Sequence, residues 1–133
     1  MRPAWRQPLG LGLTAAAAVT YTGLVDPNRS HAFPLCPLKL VTGLDCPVCG
    51  SLRATHSLVH GHLGAAAGHN LAFVLAVPVI LFAWTTWLAS AAGLPVRRWR
   101  LPTHGWWMVA SLAVVFMVVR NLPAPPLHWL ASA

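Results

Sequence analysis

The chain has almost no acidic residues. Its 133 residues include no glutamate, and the acidic side chains are those of Asp26 and Asp45. Charged residues make up 8% of the chain, against about 25% in soluble domains, which excludes a mostly water-facing surface. The nine basic residues stand at the ends of apolar runs and form no dense basic face. The sequence therefore predicts a membrane protein with no nucleic-acid partner.

Two apolar stretches, 71–93 and 105–121, have the length and composition of transmembrane helices. The first has no charged residue and is long enough to cross about 30 Å of hydrocarbon. Pro78 inside it is expected to kink the helix without ending it, because lipid offers the backbone no other hydrogen-bond partners. Arg120, at the end of the second stretch, is expected to snorkel to the headgroups.

A third apolar stretch, 9–25, is diluted by threonines and Tyr21. Because Arg2 and Arg6 precede this short apolar core, a secretory signal peptide is an alternative interpretation. No small-x-small cleavage site follows the core, so an uncleaved first helix is predicted. Either interpretation places the next loop outside the cell.

Arginines that flank the apolar stretches indicate the orientation. They precede the first stretch and fill the short link between the other two: Arg2, Arg6, Arg97, Arg98 and Arg100. Basic loops remain cytoplasmic, so we predict a multi-pass protein of the cell membrane with its amino terminus inside. The loop 26–70 and the carboxyl terminus are then external.

The predicted fold is an all-α integral membrane protein with a single domain, 1–133. Three transmembrane helices are joined by a short link and by the long loop 26–70. A short amphipathic helix is expected over 51–67 of this loop, where apolar residues such as Leu52 and Val59 recur at helical spacing.

Chemical potential is concentrated in the motif Cys46-Pro47-Val48-Cys49-Gly50 and in Cys36, which also precedes a proline. Close thiols can form a disulfide, exchange one or bind a soft metal. We expect Cys49 to lie in the first turn of the loop helix, where the helix dipole favours a thiolate. We also expect the segment between Cys36 and Cys46 to fold back, so that the three cysteines cluster.

A structural disulfide is the first interpretation of these cysteines. An external loop lies in an oxidising compartment, and a bond from Cys36 to Cys46 or Cys49 would staple it. A bond between Cys46 and Cys49 would close a small, strained ring. Every pairing leaves one thiol over.

A metal site is the second interpretation. The Cys-Pro-x-Cys-Gly turn is the one used in zinc knuckles, with proline shaping the turn and glycine permitting a left-handed residue. Cys36, Cys46, Cys49 and His56 could together hold zinc, with His60 as an alternative fourth ligand. A zinc ribbon needs two such knuckles, and this chain has one.

Thiol–disulfide exchange is the third interpretation, with Cys46 attacking and Cys49 resolving. The sequence around the motif lacks the βαβ pattern of thioredoxin-like enzymes. The chain also has few polar residues from which to build a catalytic pocket. An enzyme is therefore less favoured than a small accessory or interaction component whose partners are the bilayer and another membrane protein.

The order of these motifs resembles a family of short bacterial membrane proteins, domain of unknown function 2752. The similarity rests on Cys36-Pro37, Thr42-Gly43-Leu44, the Cys46–Gly50 motif and Arg53-Ala54. It covers about 36–75. Where the family usually has a small or proline-like residue this chain has Asp45, and where it has Asn-Pro this chain has Asn70-Leu71. His62 follows Gly61 where the family often has an aspartate. The resemblance implies a membrane domain with a cysteine block and no particular activity.

Overall fold

The described part of the chain is entirely helical. A computed structural model describes residues 4–27, 29, 36–97 and 99–122. They form α1 (Arg6–Leu24), α2 (Pro37–Thr42), α3 (Ser51–Val59), α4 (Leu63–Ala91) and α5 (Thr103–Arg120). No strand occurs among these residues, which confirms the prediction of an all-α protein.

Two described helices, not three, are long and apolar enough to cross a membrane. They are α4 and α5, and the bounds of α5 lie within about two residues of the predicted stretch. The first stretch does form a helix, α1, but α1 contains Arg6, Gln7 and several threonines and glycines. These residues lower its hydropathy below that of a membrane span. Of the three predicted spans, two are therefore helices long and apolar enough to cross a membrane.

Asn70 divides α4 into two helical segments. Its backbone is extended (φ −162°, ψ 92°), and its side-chain Oδ1 accepts a hydrogen bond from the Phe73 amide at 2.9 Å. This is a helix N-cap, so the second segment begins after Asn70, where the second predicted span begins. The helix continues through Pro78, as predicted, and the non-helical residue within α4 is Asn70. Asn70 therefore forms the turn at the start of the second segment, although it is followed by Leu71 and not by the proline that the family usually has.

The predicted loop helix is shorter than expected, because α3 ends at Val59. Gly61 adopts the left-handed conformation (φ +77°), and the amides of Gly61 and His62 donate to the carbonyls of Leu58 and Ser57. A left-handed glycine after a helix redirects the chain. The residues that follow therefore belong to the first segment of α4 and do not continue α3.

Helix α3 is packed against both α4 and α1. Ala54 on α3 and Ala66 on α4 are completely buried, which allows a close approach of the two helices. On the other side, Nδ1 of His56 lies 2.8 Å from the carbonyl oxygen of buried Thr22 on α1. Since a carbonyl only accepts, this ring nitrogen carries the proton.

One tryptophan joins α1 to α4. The Nε1 of Trp84 donates to the Pro8 carbonyl at 2.9 Å, and its ring lies against Gly12, where a methyl group would overlap it. The glycine is therefore required by this contact. Among the described residues α5 has little packing against other helices, and its carboxyl end contacts the cysteine loop instead.

Candidate metal centre

The three cysteines converge. The sulfur of Cys46 lies 2.9 Å from that of Cys49 and 3.4 Å from that of Cys36. All three sulfurs are within 4.8 Å of one another. The cysteines are free thiols in the structure. The prediction that Cys36 folds back onto the motif is confirmed.

Two glycines shape this approach. Gly43 follows the short helix α2 in a left-handed conformation (φ +73°) and turns the chain back toward Cys46. Gly50 is also left-handed (φ +82°), as predicted for the knuckle, and it precedes α3. Within the turn, the Cys49 amide donates to the Cys46 carbonyl at 3.1 Å, and the Cys46 amide donates to the Cys49 sulfur at 3.3 Å. This N–H···S bond favours the Cys49 thiolate, but burial opposes it and has the larger effect on the Cys49 pKa.

Asn70 holds the carbonyl side of the turn. Its amide nitrogen lies 2.9 Å from the Pro47 carbonyl, 3.1 Å from the Cys49 carbonyl and 3.3 Å from the Ser51 hydroxyl. The side chain is 1% exposed. One amide therefore caps the second segment of α4 and fixes the cysteine turn above it.

Arg120 reaches the same turn from the end of α5. Its Nη1 donates to the carbonyls of Cys46 (3.2 Å) and Cys49 (3.0 Å), and its Nη2 to that of His69 (3.4 Å). The residue is only 2% exposed. The prediction that Arg120 snorkels to the headgroups is therefore wrong. Carbonyl groups therefore replace water at both terminal nitrogens of the buried guanidinium, whereas its Nε has no hydrogen-bond partner.

Asn121 completes the contact between α5 and the loop. Its amide nitrogen donates to the Asp45 carbonyl at 2.8 Å, and the Asp45 amide donates back to its Oδ1 at 2.9 Å. The Asp45 carboxylate, at the position where the resemblance predicts a smaller residue, pairs with Lys39 at 3.0 Å. This ion pair links α2 to the start of the motif.

The sequence analysis did not assign Asn70, Arg120 or Asn121 to the site. Arg120 and Asn121 stand at the end of an apolar helix, far along the chain from the motif, and no spacing connects them with it. Asn70 carried a weak signal, since a capping residue immediately before an apolar run predicts a helix start. The signal for a cap says nothing about the carbonyls that the same amide binds.

His56 and His60 are not part of the cysteine cluster. His56, the proposed fourth ligand, uses Nδ1 to bond the Thr22 carbonyl, and Nδ1 of His60 lies 2.8 Å from the His56 carbonyl. Their rings pack against each other with centroids 4.4 Å apart. In the described part of the chain, the group close enough to share a metal consists of Cys36, Cys46 and Cys49. His56 instead ties α3 to α1.

The cysteines differ in acidity. A hydrogen bond from the Lys39 amide, with further bonds from the other two thiols, lowers the pKa of Cys36 to about 7. Burial, followed by hydrogen bonds with Cys46 and Cys36, raises the pKa of Cys49 to about 12. This corrects the expectation of a helix dipole that favours a Cys49 thiolate, because Cys49 is buried and precedes the helix. Of these two thiols, Cys36 therefore ionises at much lower pH than Cys49.

Three converging sulfurs suit a soft metal ion. In a tetrahedral zinc centre with Zn–S bonds of about 2.3 Å, the sulfurs lie about 3.8 Å apart. The observed separations, from 2.9 Å to at most 4.8 Å, bracket this value. Small side-chain rotations would bring the three thiols into such a centre.

Comparison with known proteins finds one family model that matches the segment containing the three cysteines. A family model described as "Protein of unknown function (DUF2752)" matches residues 36–84, which confirms the resemblance drawn from the motifs. The matched segment includes the three cysteines, α2, α3 and most of α4. No curated protein and no solved structure matches the chain.

Proposed function

We propose that this protein is a multi-pass membrane protein that binds a zinc ion through Cys36, Cys46 and Cys49. One observation carries the proposal: three sulfurs lie within 4.8 Å of one another. The turn that bears two of them is held by buried side chains from α4 and α5. A turn held in place before the metal arrives loses less conformational entropy on binding.

Charge favours the metal over a plain disulfide. Three thiolates and one Zn²⁺ carry one net negative charge. The buried guanidinium of Arg120 is bonded to the carbonyls of two of the three cysteines, and it offsets part of this charge. A disulfide is neutral, would use two of the sulfurs and would leave the third, so it explains less of the arrangement.

The proposed setting is the outer face of the cell membrane. Helices α4 and α5 cross the bilayer, and α1 is proposed as a third, more polar span that remains uncleaved. The arginines at or before the start of α1 and those between α4 and α5 favour a cytoplasmic amino terminus and an external cysteine loop. Another membrane protein is the proposed partner, with this protein as its metal-binding accessory component.

Zinc titration of the full-length protein in lipid nanodiscs tests the proposal. We expect one zinc per chain, with affinity lost or reduced by at least about 100-fold in each of the variants Cys36→Ser, Cys46→Ser and Cys49→Ser. Val48→Ala, which truncates an exposed side chain of the same turn without removing a thiol, is the matched control and should keep most of the affinity. Equal zinc binding by the wild type and all three cysteine variants would refute the proposal.

Thiol–disulfide exchange is a second candidate, favoured by the lowered pKa of Cys36 and its 3.4 Å separation from Cys46. The Cys36 thiolate would attack a substrate disulfide and release one substrate thiolate. Cys46, as a thiolate, would then attack the Cys36 sulfur and release the second. The protein would become a Cys36–Cys46 disulfide and the substrate two thiols. A Cys46→Ser variant that traps no mixed disulfide at Cys36 would exclude this route.

A further inference from the structure

The attachment of α5 to the rest of the described protein is concentrated at one end. Helix-to-helix packing involves mainly α1, α3 and α4. The polar contacts of α5 with the loop come from its last residue, Arg120, and from Asn121 directly after it. Most apolar side chains along α5, such as Val114 and Val118, are exposed. The carboxyl end of α5 is therefore fixed by hydrogen bonds more than by packing.

These hydrogen bonds go to the backbone of the cysteine turn. Arg120 binds the backbone carbonyls of Cys46 and Cys49. The side-chain sulfurs of the same two residues are proposed metal ligands. Asn121 forms a reciprocal pair with Asp45, one residue before Cys46. Any change in the backbone of the turn thus changes the acceptors to which α5 is bound.

We propose that metal binding at the cysteine cluster and docking of the carboxyl end of α5 are thermodynamically linked, with Arg120 and Asn121 as positioning residues. The inference rests on the proposed function. Metal bound to Cys46 and Cys49 restricts the turn to the conformation that presents its carbonyls to Arg120. The docked end of α5, in turn, holds the two sulfurs in place for the metal.

Linkage makes the effect reciprocal. If zinc strengthens the docking of α5 by some factor, then docking strengthens zinc binding by the same factor. Some residues do not bind the metal themselves but orient its ligands through hydrogen bonds. Replacing such a residue typically lowers the metal affinity by about 10- to 100-fold. We expect about a tenfold loss of zinc affinity for Asn121→Ala. For Arg120→Gln, which removes a buried charge bonded to the carbonyls of both Cys46 and Cys49, the loss should approach 100-fold.

Hydrogen exchange of the full-length protein in nanodiscs, with and without zinc, measures the docking directly. Zinc should slow exchange of the amides at the carboxyl end of α5, from Met117 to Leu122, by about tenfold or more. The amides at the amino end, near Trp107, should change little. In Asn121→Ala the zinc-induced protection should shrink together with the affinity.

Two controls separate positioning from a general loss of structure. Val118→Ala removes an exposed side chain from the same turn of α5 and should leave zinc affinity and protection unchanged. Arg120→Lys keeps the charge and some donors, so it should recover part of the affinity that Arg120→Gln loses. Cys36→Ser keeps the α5 contacts but lacks a ligand, and zinc should produce no protection in it.

The outcomes distinguish the two proposals. If the wild type binds no zinc, the proposed function fails and the linkage fails with it. If zinc binds as proposed but leaves the end of α5 unprotected, and Asn121→Ala and Arg120→Lys bind it with wild-type affinity, the linkage alone is overturned.

Discussion

Replacing Asn70 tests how the cysteine turn is held. In Asn70→Ala the N-cap of the second α4 segment is lost, which costs about 1 kcal/mol. The bonds to the Pro47 and Cys49 carbonyls are also lost, at about 1 kcal/mol each. Because the side chain is 1% exposed, water does not replace it readily. The total of about 3 kcal/mol corresponds to a roughly 100-fold larger equilibrium constant for local opening of the turn.

Hydrogen exchange at the amides of Cys49 and Gly50 is the assay, and Asn70→Asp is the matched variant. Aspartate keeps the oxygen that caps Phe73, but it places a second oxygen against two carbonyls that need a donor. We therefore expect Asn70→Asp to open the turn at least as much as Asn70→Ala does. If Asn70→Asp exchanges like the wild type while Asn70→Ala does not, the role of Asn70 is capping alone, and the argument that it holds the turn is wrong.

Three further predictions concern acidity, packing and topology. Without metal, Cys36 should be alkylated faster than Cys49, at a rate that falls about tenfold per pH unit well below pH 7; mass spectrometry at several pH values checks this, and equal rates for the two cysteines would contradict it. Gly12→Ala should destabilise the protein by about 1–3 kcal/mol through overlap with the Trp84 ring, whereas Gly10→Ala, in open space on the same helix, should not; thermal unfolding in nanodiscs distinguishes them, and equal melting of the two variants would refute the packing argument. A membrane-impermeant thiol reagent should label the loop cysteines in intact cells, and labelling that requires lysis would contradict the orientation.

The features that sequence predicted well depend on local composition. The bounds of α5, the start of the second segment of α4 and the left-handed Gly50 follow from apolar runs, a capping residue and turn chemistry. The clustering of Cys36 with the motif was also predictable, because Pro37 and Gly43 permit the chain to fold back within a short distance. In each case the deciding residues lie within a few positions of the feature.

The features that sequence missed depend on distant contacts. Arg120 at the end of an apolar helix can turn to the headgroups or inward, and the choice depends on acceptors more than 70 positions away. The same holds for His56, which was predicted as a possible fourth zinc ligand. Its ring instead bonds a carbonyl on α1. The first stretch was predicted as a helix correctly, but its polar residues leave it less apolar than a membrane span.

X-ray absorption at the zinc edge, on the full-length protein loaded with one equivalent of zinc in nanodiscs, tests the central claim most directly. We expect three sulfur neighbours at about 2.3 Å in the wild type and fewer than three in Cys36→Ser. That variant removes the ligand that lies outside the Cys46–Cys49 turn, so the change measures whether the folded-back Cys36 belongs to the site. A spectrum with only nitrogen and oxygen neighbours, or one with the same number of sulfurs in the wild type and in Cys36→Ser, would contradict a three-cysteine metal centre.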